Sequence, residues 1–133
     1  MTNALLIGNV IAGILTEYKG EILNKKNISI YPAIAVPERD NNMLGYITYQ
    51  RLGVSSINTK DGTNQDRVTF QINVVFSHYT NGVIAAQEVR AAIEKNKIDT
   101  EAMTLYYIKL IDAEESFDYD SYIQSLTFEC VVE

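Results

Sequence analysis

The sequence predicts an α+β fold: a mostly antiparallel β-sheet with an N-terminal helix and a second helix packed on one of its faces. Three observations predict it. Apolar residues recur at three- and four-residue steps near the start, Arg67–Val74 alternates between polar and apolar, and an alanine-rich helical stripe over Ala85–Ile93 is followed by further strand signals. Hydrophobic residues make up 47% of the 133 and charged residues 21%, which suits a single domain over 1–133 and excludes disordered and collagen-like chains.

The first helix rests on Ile7, Val10, Ile11, Ile14, Leu15 and Tyr18, which share one stripe. Thr2 or Asn3 can cap its start and Gly20 can stop it. Leu5, Leu6 and Ala12 lie off that stripe, so a second covered face is expected, either within the monomer or against a neighbouring subunit. Ile28–Tyr31 before Pro32 reads as a short strand, because the residue before proline is pushed out of the helical region. A polar connector runs from Ala33 to Asn42. Tyr46–Leu52 is the next strand, continuing toward Ile57, and Asn58–Asp66 with Asp61-Gly62 at its centre is a wide hairpin loop.

In the strand that follows, Val68, Phe70, Ile72, Val74 and Phe76 point one way while Arg67, Thr69, Gln71 and Asn73 point the other. That pattern belongs to an antiparallel sheet covered on a single side. Thr80 or Asn81 opens the second helix, whose stripe is Ala85, Ala86, Val89, Ala92 and Ile93. Leu105–Ile111 returns to strand, the acidic stretch Asp112–Asp120 reads as a loop or frayed strand end, and Ile123–Val132 closes the chain with Leu126, Phe128, Cys130 and Val132 on one face. No internal repeat occurs.

Charge narrows the function. Of 17 acidic residues, seven (Asp112, Glu114, Glu115, Asp118, Asp120, Glu129, Glu133) follow Lys109 with no Lys or Arg among them, and the net charge is -6. Phosphate backbones are held by clustered Lys and Arg, and the longest basic run here is Lys25-Lys26. Nucleic-acid binding through phosphates and adhesion to an anionic membrane are therefore disfavoured. The apolar stretch Ala4–Leu15 is short for a membrane span and lacks a preceding basic residue, so synthesis in the cytoplasm without export is expected.

Signals for catalysis are poor. His78 sits at a strand end and Cys130 faces the core, so the pair reads as a turn histidine and a buried structural thiol. Two such residues do not make a zinc site, no phosphate-binding glycine motif occurs, and the acidic run lacks the spacing of a calcium loop. We expect no catalytic, cofactor-binding or metal site. Nine tyrosines without a tryptophan suit surfaces that are apolar at one end and wet at the other, whether sheet rims or subunit interfaces.

From Ile30-Tyr31-Pro32 the segments follow a familiar order. The strand Tyr46-Ile47-Thr48-Tyr49-Gln50-Arg51 comes next, then Arg67-Val68-Thr69-Phe70-Gln71-Ile72-Asn73, Tyr79, the helix with Val89-Arg90, an acidic tyrosine-bearing stretch and Ser125-Leu126-Thr127-Phe128. This order resembles the small tail-completion or tail-terminator proteins of tailed bacteriophages, over roughly three quarters of the chain. The chain departs from them at Gly45, where a proline is frequent, at Asn73, where an acid is common, and at Gln124, where a base is frequent. These departures bear on interface contacts and leave the fold expectation intact.

The resemblance implies a non-catalytic virion protein. Its subunits would form a homo-oligomeric ring, usually a hexamer, that caps the head-proximal end of the tail tube, ends its polymerisation and joins it to the head connector. The implied partners are a second copy of the chain, the tail tube protein and the head-completion or connector protein, with DNA passing through the lumen unbound. The hairpin tip (Lys60, Asp61, Gly62, Thr63, Asn64) and the acidic stretch (Glu114, Glu115, Asp118, Asp120) are the expected partner-facing elements, being long, polar and poorly explained by packing. Tyr46, Tyr49, Arg51, Thr69, Gln71 and Asn73 are the expected subunit-interface residues. A head-completion or stopper ring is the near alternative. A small ligand-binding α+β domain and a tyrosine-stacking binder of single strands are the distant ones.

Overall fold

The computed structural model describes residues 2–23, 25, 28–32, 44–57 and 65–133. A single 3-10 turn (Ala4–Leu6) leads into α1 (Ile7–Glu17), followed by β1 (Ile28–Pro32), β2 (Gly45–Ile57), β3 (Gln65–Phe76), α2 (Tyr79–Ile93), β4 (Lys97–Asp99), β5 (Thr104–Asp118) and β6 (Ser121–Val132). The fold is α+β. Six strands form one sheet in the order β1-β2-β3-β6-β5-β4. β1 runs parallel to β2, and the other neighbours pair antiparallel.

The alternation in β3 carries the core. Val68, Phe70, Ile72, Val74 and Phe76 are buried, and the register sets Phe70 opposite Phe128 and Ile72 opposite Leu126. The Phe70 and Phe128 rings stack with centroids 5.4 Å apart. Ile7, Ile11 and Leu15 of α1 and Ala85, Val89, Ala92 and Ile93 of α2 join the same cluster, which defines the helix side of the sheet. α1 packs against α2, β1 and β2, while α2 packs against β3 and β6. The small alanines bring α2 close to the strands.

The segment between α1 and β1 is fastened to α2 by one side chain. The half-buried Glu88 carboxylate accepts the backbone N–H groups of Glu21 (2.5 Å), Ile22 (3.1 Å) and Leu23 (2.7 Å). It thereby seats Ile22 and Leu23 in the core. At the far end of α2, Glu94 accepts the Leu110 N–H at 2.7 Å and Arg90 Nε at 3.0 Å. The Leu110 hydrogen bond chiefly, and Arg90 after it, hold the Glu94 carboxyl below its ordinary pKa.

Several expectations change. Asp112–Asp118 is neither loop nor frayed end: β5 continues through it, paired to β6 as far as Asp118 opposite Ser121. A two-residue turn, Tyr119-Asp120, closes this hairpin with positive φ at both residues (48° and 58°), the geometry that matches strand twist. Acidic residues depress strand propensity, but continuous pairing with the strongly patterned β6 overrides it. Gln65 and Asp66, expected in the hairpin loop, are the first residues of β3. α2 begins at Tyr79 with His78 as N-cap, a few residues earlier than Thr80 or Asn81 would place it, and neither helix start has a side-chain cap. β1 forms where Ile28–Tyr31 reads as a short strand, running parallel to β2, whereas the three-residue β4 carries no pattern that announces it. The connector from Ala33 lies almost wholly outside the described residues.

Candidate assembly surfaces

Strand register sorts the expected residues by face. On β2, Tyr46, Thr48 and Gln50 stand opposite Val75, Asn73 and Gln71, on the side away from the helices. Tyr46, Thr69, Gln71 and Asn73 therefore share the open face. Ser125 Oγ donates to Asn73 Oδ1 (2.7 Å), Asn73 Nδ2 to Gln71 Oε1 (3.4 Å), and Gln71 Nε2 to Thr127 Oγ1 (3.5 Å). This ladder satisfies the amide and hydroxyl groups among themselves, leaving a flat, mainly uncharged strip. Beside it Glu129 faces Arg67 at 3.8 Å and Lys109 at 4.0 Å, surface pairs that add little stability.

Tyr49 and Arg51 take the helix side instead. Tyr49 packs under α1, where a methyl group on Gly8 would stand 3.3 Å from its ring, and Arg51 Nη1 donates to the Leu5 carbonyl at 2.9 Å. Arg51 remains exposed. The two residues thus join α1 to β2, and the structure does not bring them together with the other four.

The acidic stretch is split in the same way by the period of two. Asp112, Glu114 and Asp118 stand opposite Thr127, Ser125 and Ser121 and form a row on the open face. Glu115, opposite Gln124, turns to the helix side and is captured there. Tyr79 Oη donates to Glu115 Oε2 at 2.6 Å and Gln124 Nε2 donates to the same oxygen at 2.8 Å. These bonds, the tyrosine's first, lower the Glu115 pKa, and the carboxylate in turn raises that of Tyr79. Tyr122 completes the contact, edge-on to Tyr79 at 5.3 Å and tilted against Phe117 at 4.9 Å. Asp120 lies in the turn. Lys60, Asp61, Gly62, Thr63 and Asn64 fall outside the described residues.

The two arms project from opposite ends of the sheet. Ile57 pairs with Gln65 at one end of β3, while the β5–β6 turn follows the pairing of Phe76 with Tyr122 at the other. The twelve residues of β3 separate them by about 40 Å.

Sequence reasoning missed the exposed apolar residues on these arms. Phe117 is 60% exposed and Tyr119 82%, and Leu52, Val54, Tyr79 and Ile111 are exposed as well. The signal available was aromatic residues inside an acidic run, which is unusual for a purely solvating segment. Leu52 and Ile111 both sit at register shifts, one extra residue in each strand.

His78 is exposed at the end of β3, while Cys130 is buried among the core strands. Burial and the neighbouring Glu129 charge push the Cys130 thiol up to about 12, which makes it a poor nucleophile. Among the described residues no three metal-ligating side chains cluster, and no helix is long and apolar enough to cross a membrane.

A family model described as "Tail completion protein gp17" matches residues 31–133. The chain belongs to that family. Its members are structural proteins of phage tail completion, and this chain is one of them. Among solved structures, a chain from the virion of a native gene transfer agent particle superposes with a TM-score of 0.62 at 18% identity, over 93% of this chain and 84% of the other. A second solved protein superposes at 0.58 and 12% identity, over 94% of each chain. At these identities the likeness is one of fold. No curated protein matches the chain.

Proposed function

We propose that this tail-completion protein is the subunit of a homo-oligomeric ring, hexameric in our reading, that caps the head-proximal end of a phage tail tube. The ring ends tube polymerisation and joins the tail to the head connector. The observation that carries this reading is the placement of the two arms about 40 Å apart at opposite ends of one sheet. A junction protein has to meet a different partner at each end. One end is where Ile57 pairs with Gln65, and the other offers the acidic, aromatic β5–β6 tip.

The open face suits the wall of a channel for DNA. Its amide and hydroxyl ladder is uncharged, and the row Asp112, Glu114 and Asp118 repels phosphate, so the duplex passes without being held. In this reading the protein is made in the host bacterial cytoplasm, is located in the virion at the head–tail junction, and catalyses nothing. The virion context of the structurally similar gene transfer agent chain supports that placement.

Deleting the hairpin tip at residues 60–64 tests the reading. Tubes assembled with the deletion protein should overgrow and remain unjoined to heads, while its circular dichroism and melting temperature match those of the parent. Normal tube length with the tip deleted would refute the role of the hairpin. Capped tubes that fail to attach heads would assign the tip to the connector instead.

A further inference from the structure

Each long hairpin arm leaves one strand edge without a strand partner among the described residues. β1 covers β2 only over Gly45–Tyr49, so Gln50–Ile57 lies bare on its outer side. β4 covers β5 only over Thr104–Tyr106, and the Glu94 carboxylate occupies the Leu110 N–H, so Asp112–Asp118 is bare on the opposite side of the sheet. Bare edges of this length attract other strands unless something blunts them.

We infer that these two edges pair with each other between copies, β2 of one subunit against β5 of the next, joining the sheets into one continuous wall. The inference rests on the ring reading above and names the contact that closes it. Charge selects the pairing. The β5 edge carries Asp112, Glu114, Glu115 and Asp118 without a basic residue, so two β5 edges set side by side oppose like charges. The β2 edge carries a single charge, the positive Arg51. The edges also hold exposed apolar side chains, Leu52 and Val54 on β2 and Phe117 on β5, with Ile111 just before the bare β5 stretch, and pairing covers those on the edges.

Geometry selects closure. β2 runs antiparallel to β5 across the intervening β3 and β6, and rotation about a ring axis preserves that relation, so the new ladder is antiparallel. Measured along β3, the bare β2 edge is centred beside Val68 and the bare β5 edge, through β6, beside Val74. Six residues separate these centres, about 20 Å. The repeating unit of the wall is β2, β3, β6 and β5, four strands and about 19 Å wide. Aligning the edges therefore tilts the strands by about 45°, at the upper end of the 35–45° typical of closed β-barrels. The stubs β1 and β4 bracket the joined stretch. A head-to-tail contact of this kind uses two different surfaces, which is what a ring requires.

The test uses the full chain carrying Cys130→Ala, with Ser55→Cys on β2 and Ser116→Cys on β5, and a short bis-maleimide that tolerates small differences of register. The doubly substituted protein should give a ladder ending at the ring's mass. Either single variant should stay monomeric on a denaturing gel, and an equal mixture of the two singles should stop at dimers. Val54→Lys, which charges the β2 edge without touching β5, should raise the assembly's dissociation constant about tenfold or more while circular dichroism stays unchanged. Linked dimers from a single variant would mean two-fold pairing and overturn the inference. A ring seen by native mass spectrometry without a ladder, and indifferent to Val54→Lys, would overturn the edge pairing while leaving the ring standing. Monomer at every concentration would overturn both.

Discussion

Replacing Glu88 by alanine should detach the segment that leads from α1 to β1. The carboxylate accepts three consecutive backbone N–H groups, from Glu21 at 2.5 Å, Ile22 at 3.1 Å and Leu23 at 2.7 Å. Hydrogen bonds to a charged group contribute about 1.5–3 kcal/mol each, but this site is only half-buried and water can recover part of the loss. The two short bonds dominate, so the expected cost is about 3 kcal/mol, with Ile22 and Leu23 loosened from the core. For a domain of this size each kcal/mol lowers Tm by about 3–4 °C, so the melt should move down by about 10 °C. Glu88→Gln keeps one acceptor oxygen and turns donors toward donors, so it should fall between the parent and Glu88→Ala. Gly20→Ala attacks the same contact from the other side, since its new methyl group would collide with the Glu88 carboxylate. Urea and thermal unfolding followed by circular dichroism measure all three. A Glu88→Ala melt within 2 °C of the parent, about half a kcal/mol, would refute the reasoning and assign the anchoring to packing alone.

Four further outcomes are expected. Gly45→Ala should destabilise by about 1–3 kcal/mol or more, because the added carbon would lie 2.6 Å from both the Val75 carbonyl oxygen and the Phe76 ring; a neutral thermal melt would contradict this. Since Glu115 is held below its ordinary pKa, the β5–β6 contact with α2 should be fully formed above the usual carboxylate range and be lost only as pH falls through the lowered value; Tyr79 ring signals by NMR should follow that loss. Conversely Tyr79, raised by its bond to Glu115, should ionise above the ordinary tyrosine value in an alkaline titration, and Glu115→Gln should remove that delay. Cys130 should resist thiol reagents in the native protein and react once per chain in denaturant; fast native labelling would show that the β3–β6 core opens.

The legible part of the fold was the part fixed by burial. The period of two in β3 and β6 and the stripes of Ile7, Ile11 and Leu15 and of Ala85, Val89 and Ala92 all mark the core side. What escaped was held by pairing alone. Asp112–Asp118 has the composition of a loop and the structure of a strand because β6, patterned by burial at Leu126 and Phe128, lends it a partner. β4 is a three-residue strand at the margin of the sheet, where neighbours decide more than propensity does. The faces of Tyr49 and Arg51 could not be read because the Leu52 bulge and the approach of α1 at Gly8 to the Tyr49 ring are tertiary facts. Tail completion was legible only through the order of segments, since no residue type in the chain announces an assembly function.

The same distinction explains where the assembly surfaces lie. Residues that serve the monomer's stability are tied down: Glu88 on the α1–β1 segment, Glu94 on Leu110, Glu115 beneath Tyr79, and Asn73 in its amide ladder. Exposed apolar side chains outside those bonds gather on the two arms, at Leu52, Val54 and Ile111. Scattered exposed apolar side chains are ordinary on any surface, but these line strand edges whose ladders end abruptly at β1 and β4. A sheet that stops before its strands do is incomplete as a monomer. The acids along β5 keep that incompleteness from becoming indiscriminate stacking, and the nearly neutral β2 edge, with Arg51 as its single charge, meets them without repulsion.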